Sequence, residues 1–118
     1  MKKIAVITGG SRGIGAAVAL CLAKNKYDIA ISYKENKKKA EEILKKIHNY
    51  GSSAIAVKVD LGNEKDIQNL FDTVDKKLGR ICALVNNAAE LGKVMCIEDF
   101  DSKILERIFA VNLIGPML

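Results

Sequence analysis

Apolar residues occur along this chain in two alternating patterns. Short runs are continuously apolar, which is typical of parallel strands buried on both faces. Longer segments place apolar residues three and four positions apart, which is the spacing of a helix with one buried face. The predicted strands are Ile4 to Ile7, Ile29 to Ile31, Ala54 to Val59 and Cys82 to Val85. This alternation predicts an α/β fold, a Rossmann-like doubly wound parallel sheet of which the first four strands and their flanking helices are present.

Each predicted helix carries an apolar stripe that we expect to face the sheet. The stripe of the first helix consists of Ile14, Ala17, Val18, Cys21 and Leu22. The stripes of the later helices run from Ala40 to Ile47, from Ile67 to Leu78 and from Phe100 to Val111. Asn63 is the predicted N-cap of the third helix, and Gly51 and Gly79 are predicted to end the second and third helices.

The segment between the first strand and the first helix is rich in glycine and reads T-G-G-S-R-G-I-G from Thr8 to Gly15. A strand that turns directly into a helix points backbone N–H groups and the positive end of the helix dipole at one place. Such a place favours an anion such as a phosphate. We expect glycine to be needed at Gly9, Gly13 and Gly15, where φ is positive or where a side chain would keep the phosphate from the backbone.

Two common phosphate-binding motifs do not fit this turn. The P-loop pattern can start at Gly10, but it then places Ala16 and Ala17 where a lysine and a hydroxyl residue are needed. The G-x-G-x-x-G pattern places Val18 where its third glycine belongs. The sequence therefore argues against a nucleoside triphosphate site, and a tight turn without a ligand stays open as an alternative at this point.

All four predicted strands end at polar residues. The first ends at the glycine turn, the second at Ser32, which we expect to open a polar loop, the third at Asp60 and the fourth at Asn87. Because the carboxyl ends of parallel strands share one edge of a sheet, the four loops should converge on one ligand-binding crevice. Each residue also has a structural interpretation, since Asp60 can cap the next turn and the asparagines can bond buried backbone.

Composition and charge narrow the possible partners. The 118 residues correspond to one domain or part of one. The formal net charge is +5, and many lysines lie between Lys34 and Lys46. No aromatic residues interleave with them as a nucleic-acid platform would require, so we interpret them as a solvated surface and expect no nucleic-acid partner.

Cysteine usage and hydropathy indicate the compartment. The three cysteines are odd in number and lack C-x-x-C spacing, so we expect neither a disulfide framework nor a metal site. No segment approaches the roughly 20 apolar residues of a membrane span, and we expect no membrane partner. The sequence therefore favours a cytoplasmic location.

The pattern T-G-x-x-x-G-I-G, placed near the N-terminus between a strand and a helix, resembles the cofactor turn of the short-chain dehydrogenase/reductase family. The resemblance implies an NAD(P)-dependent oxidoreductase that transfers a hydride between its cofactor and a small carbonyl or alcohol substrate. It implies that Asp60 accepts from the adenine amino group, with the Leu61 backbone beside it. Asn86 to Ala89 resemble the family's N-N-A-G segment, with Ala89 in place of its glycine. The candidate cofactor-binding residues are Gly9, Ser11, Arg12, Gly13, Ile14, Gly15, Ser32, Tyr33, Lys34, Asp60, Leu61, Asn87, Ala88 and Ala89.

The end of the second predicted strand favours NADP over NAD. NAD sites place a carboxylate there for the ribose 2′-OH, and that carboxylate would repel a 2′-phosphate. This chain has Ser32 at that place, followed by Tyr33 and Lys34, and Arg12 lies in the glycine turn. Cations and hydroxyl donors therefore face the expected position of a 2′-phosphate. The alternative, that Arg12 and Lys34 are ordinary surface charges, stays open.

Hydride transfer also needs a proton donor. In the family that the chain resembles, a Tyr with a Lys four residues later does this work, a Ser orients the substrate, and an Asn holds a water. Asn112 matches that Asn and is the candidate catalytic residue. Tyr33 and Lys37 have the Tyr-x-x-x-Lys spacing, but they follow the second strand on the adenosine side, and we interpret this match as coincidence.

The resemblance implies that residues 1–118 are the N-terminal part of a single dinucleotide-binding domain. The Ser and the Tyr-x-x-x-Lys would belong to its C-terminal half, so we expect the 118-residue chain to be inactive alone and the full-length protein to form a homo-oligomer. The fourth strand should then be an unprotected edge of the sheet. The rival hypothesis is a non-catalytic nucleotide-binding or interaction module, which would keep the crevice without hydride transfer.

Overall fold

The computed structural model describes residues 2–118 and contains one parallel sheet of four strands in the order β3-β2-β1-β4. The strands are β1 (Lys3–Ile7), β2 (Tyr27–Tyr33), β3 (Ala54–Lys58) and β4 (Ala83–Val85). The register places Ala5 of β1 opposite Ile29 of β2 on one side and Ala83 of β4 on the other. The predicted α/β fold with a Rossmann-like sheet is confirmed.

Helices connect the strands on both faces of the sheet. The longer ones are α1 (Gly13–Lys24), α2 (Lys37–Asn49), α3 (Glu64–Lys77) and α4 (Ser102–Phe109). A 3₁₀ turn (Ile97–Asp99) precedes α4, and a π-helical turn (Ala110–Ile114) joins α4 to the short α5 (Gly115–Met117). Within residues 2–118, none of these helices combines the length and the apolar character that crossing a bilayer requires.

The predicted helix ends agree with the observed ones. The Asn63 side chain accepts hydrogen bonds from the N–H groups of Lys65 and Asp66, which is the predicted N-cap of α3. Gly51 follows α2 with φ +87°, and Gly79 follows α3 with φ +122°. Glycine tolerates this left-handed backbone without strain, so both residues can end their helices as predicted.

Buried side chains form a core on each face of the sheet. Alternate residues of β1 point to opposite faces, so that Ala5 and Ile7 pack in the core that contains α1 and α2. Ile4 and Val6 pack in the core that contains α3 and Val111. The predicted stripes of α2 and α3 supply these cores with their buried residues Ala40, Ile43, Ile47, Ile67, Leu70 and Val74.

The predicted buried face of α1 is wrong in part, since Val18 and Leu22 pack against the core as predicted but are only partly buried. Ile14 is 77% exposed and Cys21 is exposed, whereas Ala16, Ala19 and Ala23 are buried. Apolar residues surround this helix on nearly every side, so their spacing does not single out the buried face. Small side chains let α1 approach the sheet closely, and this requirement of packing decides which face is buried.

Two strand and helix boundaries also differ from the prediction. β2 extends to Tyr33, so that Ser32 and Tyr33, expected in a loop, pair with Val57 and Lys58 of β3. The helix predicted through Val111 is α4 up to Phe109 and a π-helical turn beyond it. Val111 is buried as expected.

β4 is an open edge within the described residues. It pairs with β1 on one side, and Leu84 at its centre is 44% exposed. Leu84 lines one cavity together with Met117 and Leu118, which are exposed as well. Further large apolar side chains of the C-terminal helical segments are exposed, namely Leu105, Phe109, Leu113 and Ile114. The expected unprotected edge is therefore present.

Candidate functional site

Backbone hydrogen bonds from β2 and β4 hold the glycine turn between β1 and α1 in place. The Thr8 N–H donates to the Val85 carbonyl at 3.1 Å, and the Gly10 N–H donates to the Ser32 carbonyl at 3.1 Å. Gly9 and Gly13 have φ values of +67° and +55°. A Cβ on Gly15 would lie 2.3 Å from the carbonyl oxygen of Gly9. The three glycines that we expected to be necessary are so, two for their backbone conformation and one for a close backbone approach.

Thr8 and Asn87 form a latch that fastens the loop after β4 to the glycine turn. Thr8 is buried, and its Oγ1 accepts from the N–H groups of Asn87 at 3.0 Å and Ala88 at 3.1 Å. The Asn87 side-chain Nδ2 donates to the carbonyls of Thr8 at 3.0 Å and Gly9 at 3.1 Å. The structural interpretation of this asparagine is thus correct for its side chain, which satisfies buried backbone. We refer to these four hydrogen bonds as the Thr8–Asn87 latch.

Ser32 supports the same turn. Its side chain is 2% exposed, and its Oγ accepts from the Gly9 N–H at 3.1 Å. Tyr33 beside it is half-buried, and Lys34 and Arg12 are exposed. Of the residues expected at a 2′-phosphate, Arg12 and Lys34 are therefore exposed to solvent, although Lys34 Nζ also binds the Glu90 carboxylate, while the Ser32 hydroxyl bonds the Gly9 N–H.

The N-terminus of α1 differs from those of the other long helices. The side chains of Asn36, Asn63 and Asp101 cap α2, α3 and α4. Among the described residues no side chain caps α1, which begins after Arg12. Nothing lies within 4 Å of the position that a Cβ on Gly13 would take. The first N–H groups of α1 thus face open space, an arrangement that suits an anion.

Four charged side chains form an ion-pair network beside this opening. Arg107 of α4 binds Asp60 through Nη1 at 3.0 Å and Nη2 at 2.8 Å. It also binds Glu90 through Nε at 3.1 Å and Nη2 at 2.6 Å. Glu90 in turn accepts from Lys34 Nζ at 2.5 Å. We call Lys34, Asp60, Glu90 and Arg107 the charged network, and it links the loops after β2, β3 and β4 to α4.

The charged network fixes the ionisation of its acids. Hydrogen bonds from Arg107, and then from Lys34, lower the pKa of Glu90 to about 2. The Arg107 hydrogen bonds likewise lower the pKa of Asp60. The hydrogen bonds from Glu90 and Asp60 raise the pKa of Arg107. Two anions and two cations therefore face each other at neutral pH.

Asn112 lies in the π-helical turn and binds the backbone of Glu90. Its Oδ1 accepts from the Glu90 N–H at 2.8 Å, and its Nδ2 donates to the Glu90 carbonyl at 2.7 Å. Both polar atoms of the side chain are thus engaged in joining the helix to the loop after β4. Ala88 and Ala89 lie on that loop, and Leu61 is buried beside Asp60.

Sequence reasoning missed the parts that Thr8 and Arg107 play in the site, and it considered Glu90 only as a residue of a loop that could contact the substrate. Thr8 stood inside the recognised motif, but its hydroxyl acts on a loop nearly 80 residues away, which spacing cannot reveal. Glu90 follows N-N-A-A directly, and Arg107 lies at helical spacing within the apolar stripe of Ile104, Ile108 and Val111. A charge in such a stripe signals a partner across the helix face.

Known proteins share both the sequence pattern and the fold. The family model described as short chain dehydrogenase matches residues 3–118. The chain is 35% identical over 115 residues to the uncharacterized oxidoreductase YgfF of Escherichia coli, covering 98% of this chain and 47% of that protein. It is 38% identical over 117 residues to the NADPH-dependent aldehyde reductase 1, chloroplastic, of Arabidopsis thaliana, covering 94% of this chain and 41% of that protein.

Solved structures agree with these relatives. A short chain dehydrogenase from Burkholderia cenocepacia in complex with NADP superposes with a TM-score of 0.93 at 33% identity, covering 98% of this chain and 46% of that one. The acetoin dehydrogenase YohF from Salmonella typhimurium gives a TM-score of 0.92 at 33% identity, covering 100% of this chain and 48% of that one. The chain thus spans about half the length of the relatives it matches. From its first strand to its last residue, it belongs to the short-chain dehydrogenase family.

Proposed function

We propose that residues 1–118 are the N-terminal part of a single dinucleotide-binding domain and that they hold the adenosine half of NADP(H). The whole protein would be an oxidoreductase that moves a hydride between this cofactor and a small carbonyl or alcohol compound. The observation that carries the proposal is the N-terminus of α1, which no side chain caps, beside a glycine turn that the Thr8–Asn87 latch holds in place. Backbone N–H groups and the helix dipole are ready there for a pyrophosphate.

The residues around the turn fit such a cofactor. Ser11, Gly13 and Ile14 would meet the pyrophosphate, and Ile14 is 77% exposed rather than buried in the core. Asp60 and Leu61 would face the adenine, and Ala88 and Ala89 would line the ribose side. The bound nicotinamide would supply or accept the hydride. Asn112 stays the candidate catalytic residue that would hold a water, and its side chain, which binds the Glu90 backbone, would also join the π-helical turn to this loop.

The proposed preference for NADP over NAD is supported by the charges at the end of β2. No acidic side chain occupies the Ser32 position, and the exposed cations Arg12 and Lys34 lie nearby. A charge-assisted hydrogen bond to a phosphate contributes about 1.5–3 kcal/mol, or roughly tenfold or more in affinity. The proteins that this chain is similar to include a short chain dehydrogenase solved in complex with NADP and an NADPH-dependent aldehyde reductase, which agrees with this preference.

Binding titrations test the cofactor proposal. NADPH and NADH are titrated against the full-length protein, and we expect NADPH to bind at least about tenfold more tightly. Arg12→Ala should weaken NADPH binding and leave NADH binding unchanged. The matched control is Lys39→Ala, which removes an exposed cation from α2 and should change neither affinity. Tighter binding of NADH that Arg12→Ala does not alter would refute the preference.

The catalytic part of the proposal needs a separate test. The proton donor expected from the family is a Tyr-x-x-x-Lys pair with a Ser, and Tyr33 with Lys37 lies on the adenosine side instead. We expect the full-length protein to be a homo-oligomer of the cytoplasm, which agrees with the free thiols of Cys21, Cys82 and Cys96 in this chain. We expect it to oxidise NADPH when it is given a panel of small carbonyl compounds. Absorbance at the reduced nicotinamide band follows this reaction. Cofactor binding without turnover of any such compound would favour the non-catalytic module.

A further inference from the structure

Glu90 binds two cations that have different freedom to move. Its Oε1 accepts from Lys34 at 2.5 Å and from Arg107 at 2.6 Å. Arg107 also makes two hydrogen bonds to Asp60 and is therefore fixed from two sides. The side chain of Lys34 is 49% exposed, whereas that of Glu90 is 26% exposed. Removing Lys34 from the charged network therefore costs less free energy than removing Arg107.

The Lys34–Glu90 pair lies across the crevice. Lys34 directly follows β2, and Glu90 lies in the loop after β4, while β1 with the glycine turn stands between these strands in the sheet. The backbone of Glu90 is held by Asn112 through two hydrogen bonds. The carboxylate is therefore positioned on the site by the protein itself and does not depend on a ligand.

We propose that Glu90 is a specificity-determining residue which holds Lys34 in the unliganded protein and thereby lowers the affinity for nucleotides that carry a 2′-phosphate. This inference rests on the proposed function, because it assumes that Lys34 meets a 2′-phosphate at this site. To bind Lys34, the 2′-phosphate has to displace Lys34 from the Glu90 carboxylate. The phosphate then lies near that negatively charged carboxylate, which repels it. A nucleotide without the 2′-phosphate leaves the pair intact.

The expected size of the effect follows from the exposure of the pair. Solvent-exposed ion pairs contribute little, since water screens both partners and the long side chains lose freedom. Loss of the Glu90 charge should therefore strengthen the binding of a 2′-phosphorylated nucleotide by about twofold to fivefold. The dissociation constant of the nucleotide without the 2′-phosphate should change by less than about twofold, because that nucleotide does not bind Lys34.

The test uses two probes that contain the adenosine half alone, 2′,5′-ADP and 5′-AMP. Their dissociation constants are measured by calorimetry on the full-length protein and on Glu90→Gln, without any turnover assay. The expected result is tighter binding of 2′,5′-ADP and unchanged binding of 5′-AMP. Glu35→Gln is the matched control, because it removes the same charge from an exposed residue beside Lys34 and should change neither constant. Lys34→Ala combined with Glu90→Gln should abolish the gain.

Three results would overturn the inference, and one of them would also refute the proposed function. Equal weakening of both probes in Glu90→Gln would make Glu90 a structural support, and weakening of 5′-AMP alone would make it a ligand for the ribose hydroxyls. If neither probe binds the unmodified protein, the proposed function and the inference fail together. If Glu90→Gln does not fold, Glu90→Asp withdraws the carboxylate by one methylene and should give a smaller gain for 2′,5′-ADP alone.

Discussion

Gly15 in the first turn of α1 provides the sharpest test of the close packing at the candidate site. Two effects oppose each other in Gly15→Ala. Alanine is favoured over glycine in a helix by up to about 1 kcal/mol. The new Cβ, however, would lie 2.3 Å from the Gly9 carbonyl oxygen and 2.5 Å from Asn87 Nδ2. Neither group can move away freely, because the Gly9 N–H is hydrogen-bonded to Ser32 and the Asn87 N–H is hydrogen-bonded to Thr8.

The magnitude follows from these contacts. Forcing an extra methyl into a packed site costs about 1–3 kcal/mol. The two hydrogen bonds that the Asn87 side chain donates are worth about 1 kcal/mol each, and displacement of the amide group loses them. After subtraction of the helix preference, Gly15→Ala should lower the free energy of unfolding by about 2–4 kcal/mol.

Urea unfolding of the full-length protein, followed by far-ultraviolet circular dichroism, measures this change. The midpoint should fall by about 1–2 M while the slope with denaturant stays constant. Ala17→Gly is the control, because Ala17 is exposed on the same helix and the reverse exchange reports helix preference alone. It should destabilise the protein by about 1 kcal/mol. If Gly15→Ala is as stable as the natural protein or more so, the close approach is not as described.

Two further predictions concern the Thr8–Asn87 latch and the charged network. Thr8→Val keeps the shape of the side chain but leaves the N–H groups of Asn87 and Ala88 without their acceptor, so we expect a loss of about 2–4 kcal/mol in urea unfolding, against less than about 1 kcal/mol for Thr8→Ser. Equal stability of the two variants would contradict the latch. Arg107→Gln should cost about 1 kcal/mol at pH 7, because the network is partly exposed. The folded pKa of Glu90, about 2, lies below its ordinary value of 4.5, so this stabilisation is complete above about pH 4.5 and is lost as the pH falls toward 2. Urea unfolding of both proteins across this range should therefore show their difference shrinking toward zero, and a constant difference would contradict the assignment.

The order of strands and helices and the place of the glycine turn could be predicted from the sequence. Both depend on local signals, namely continuous apolar runs, helical spacing, capping residues such as Asn63, and glycines at a strand-to-helix turn. These signals act within a few residues of one another. The observed positive φ at Gly9 and Gly13 agrees with what the local turn demanded.

The buried face of α1 and the partners of the polar side chains could not be predicted in this way. Ile14 and Cys21 are exposed because the fit of a helix against a sheet depends on side-chain size, here alanine, and not on hydrophobicity alone. Arg107 reaches Asp60 across 47 positions of sequence. Such pairs are fixed by the tertiary arrangement, which a residue's neighbours in sequence do not encode.

The polar residues that resemble ligands in the sequence are largely engaged within the protein. Asn87 and Ser32 bond the glycine turn, and Asp60 binds Arg107. The N-terminus of α1 faces open space, Arg12 is exposed, and Lys34 is exposed although it is paired with Glu90; all three attract phosphate. A dinucleotide at this site would therefore gain most of its affinity from its phosphate groups, whereas contact of its adenine with Asp60 requires the carboxylate to share its bonds with Arg107. On the proposal that Lys34 meets a 2′-phosphate, a single carboxylate beside Lys34 would therefore affect the choice between two cofactors that differ by one phosphate.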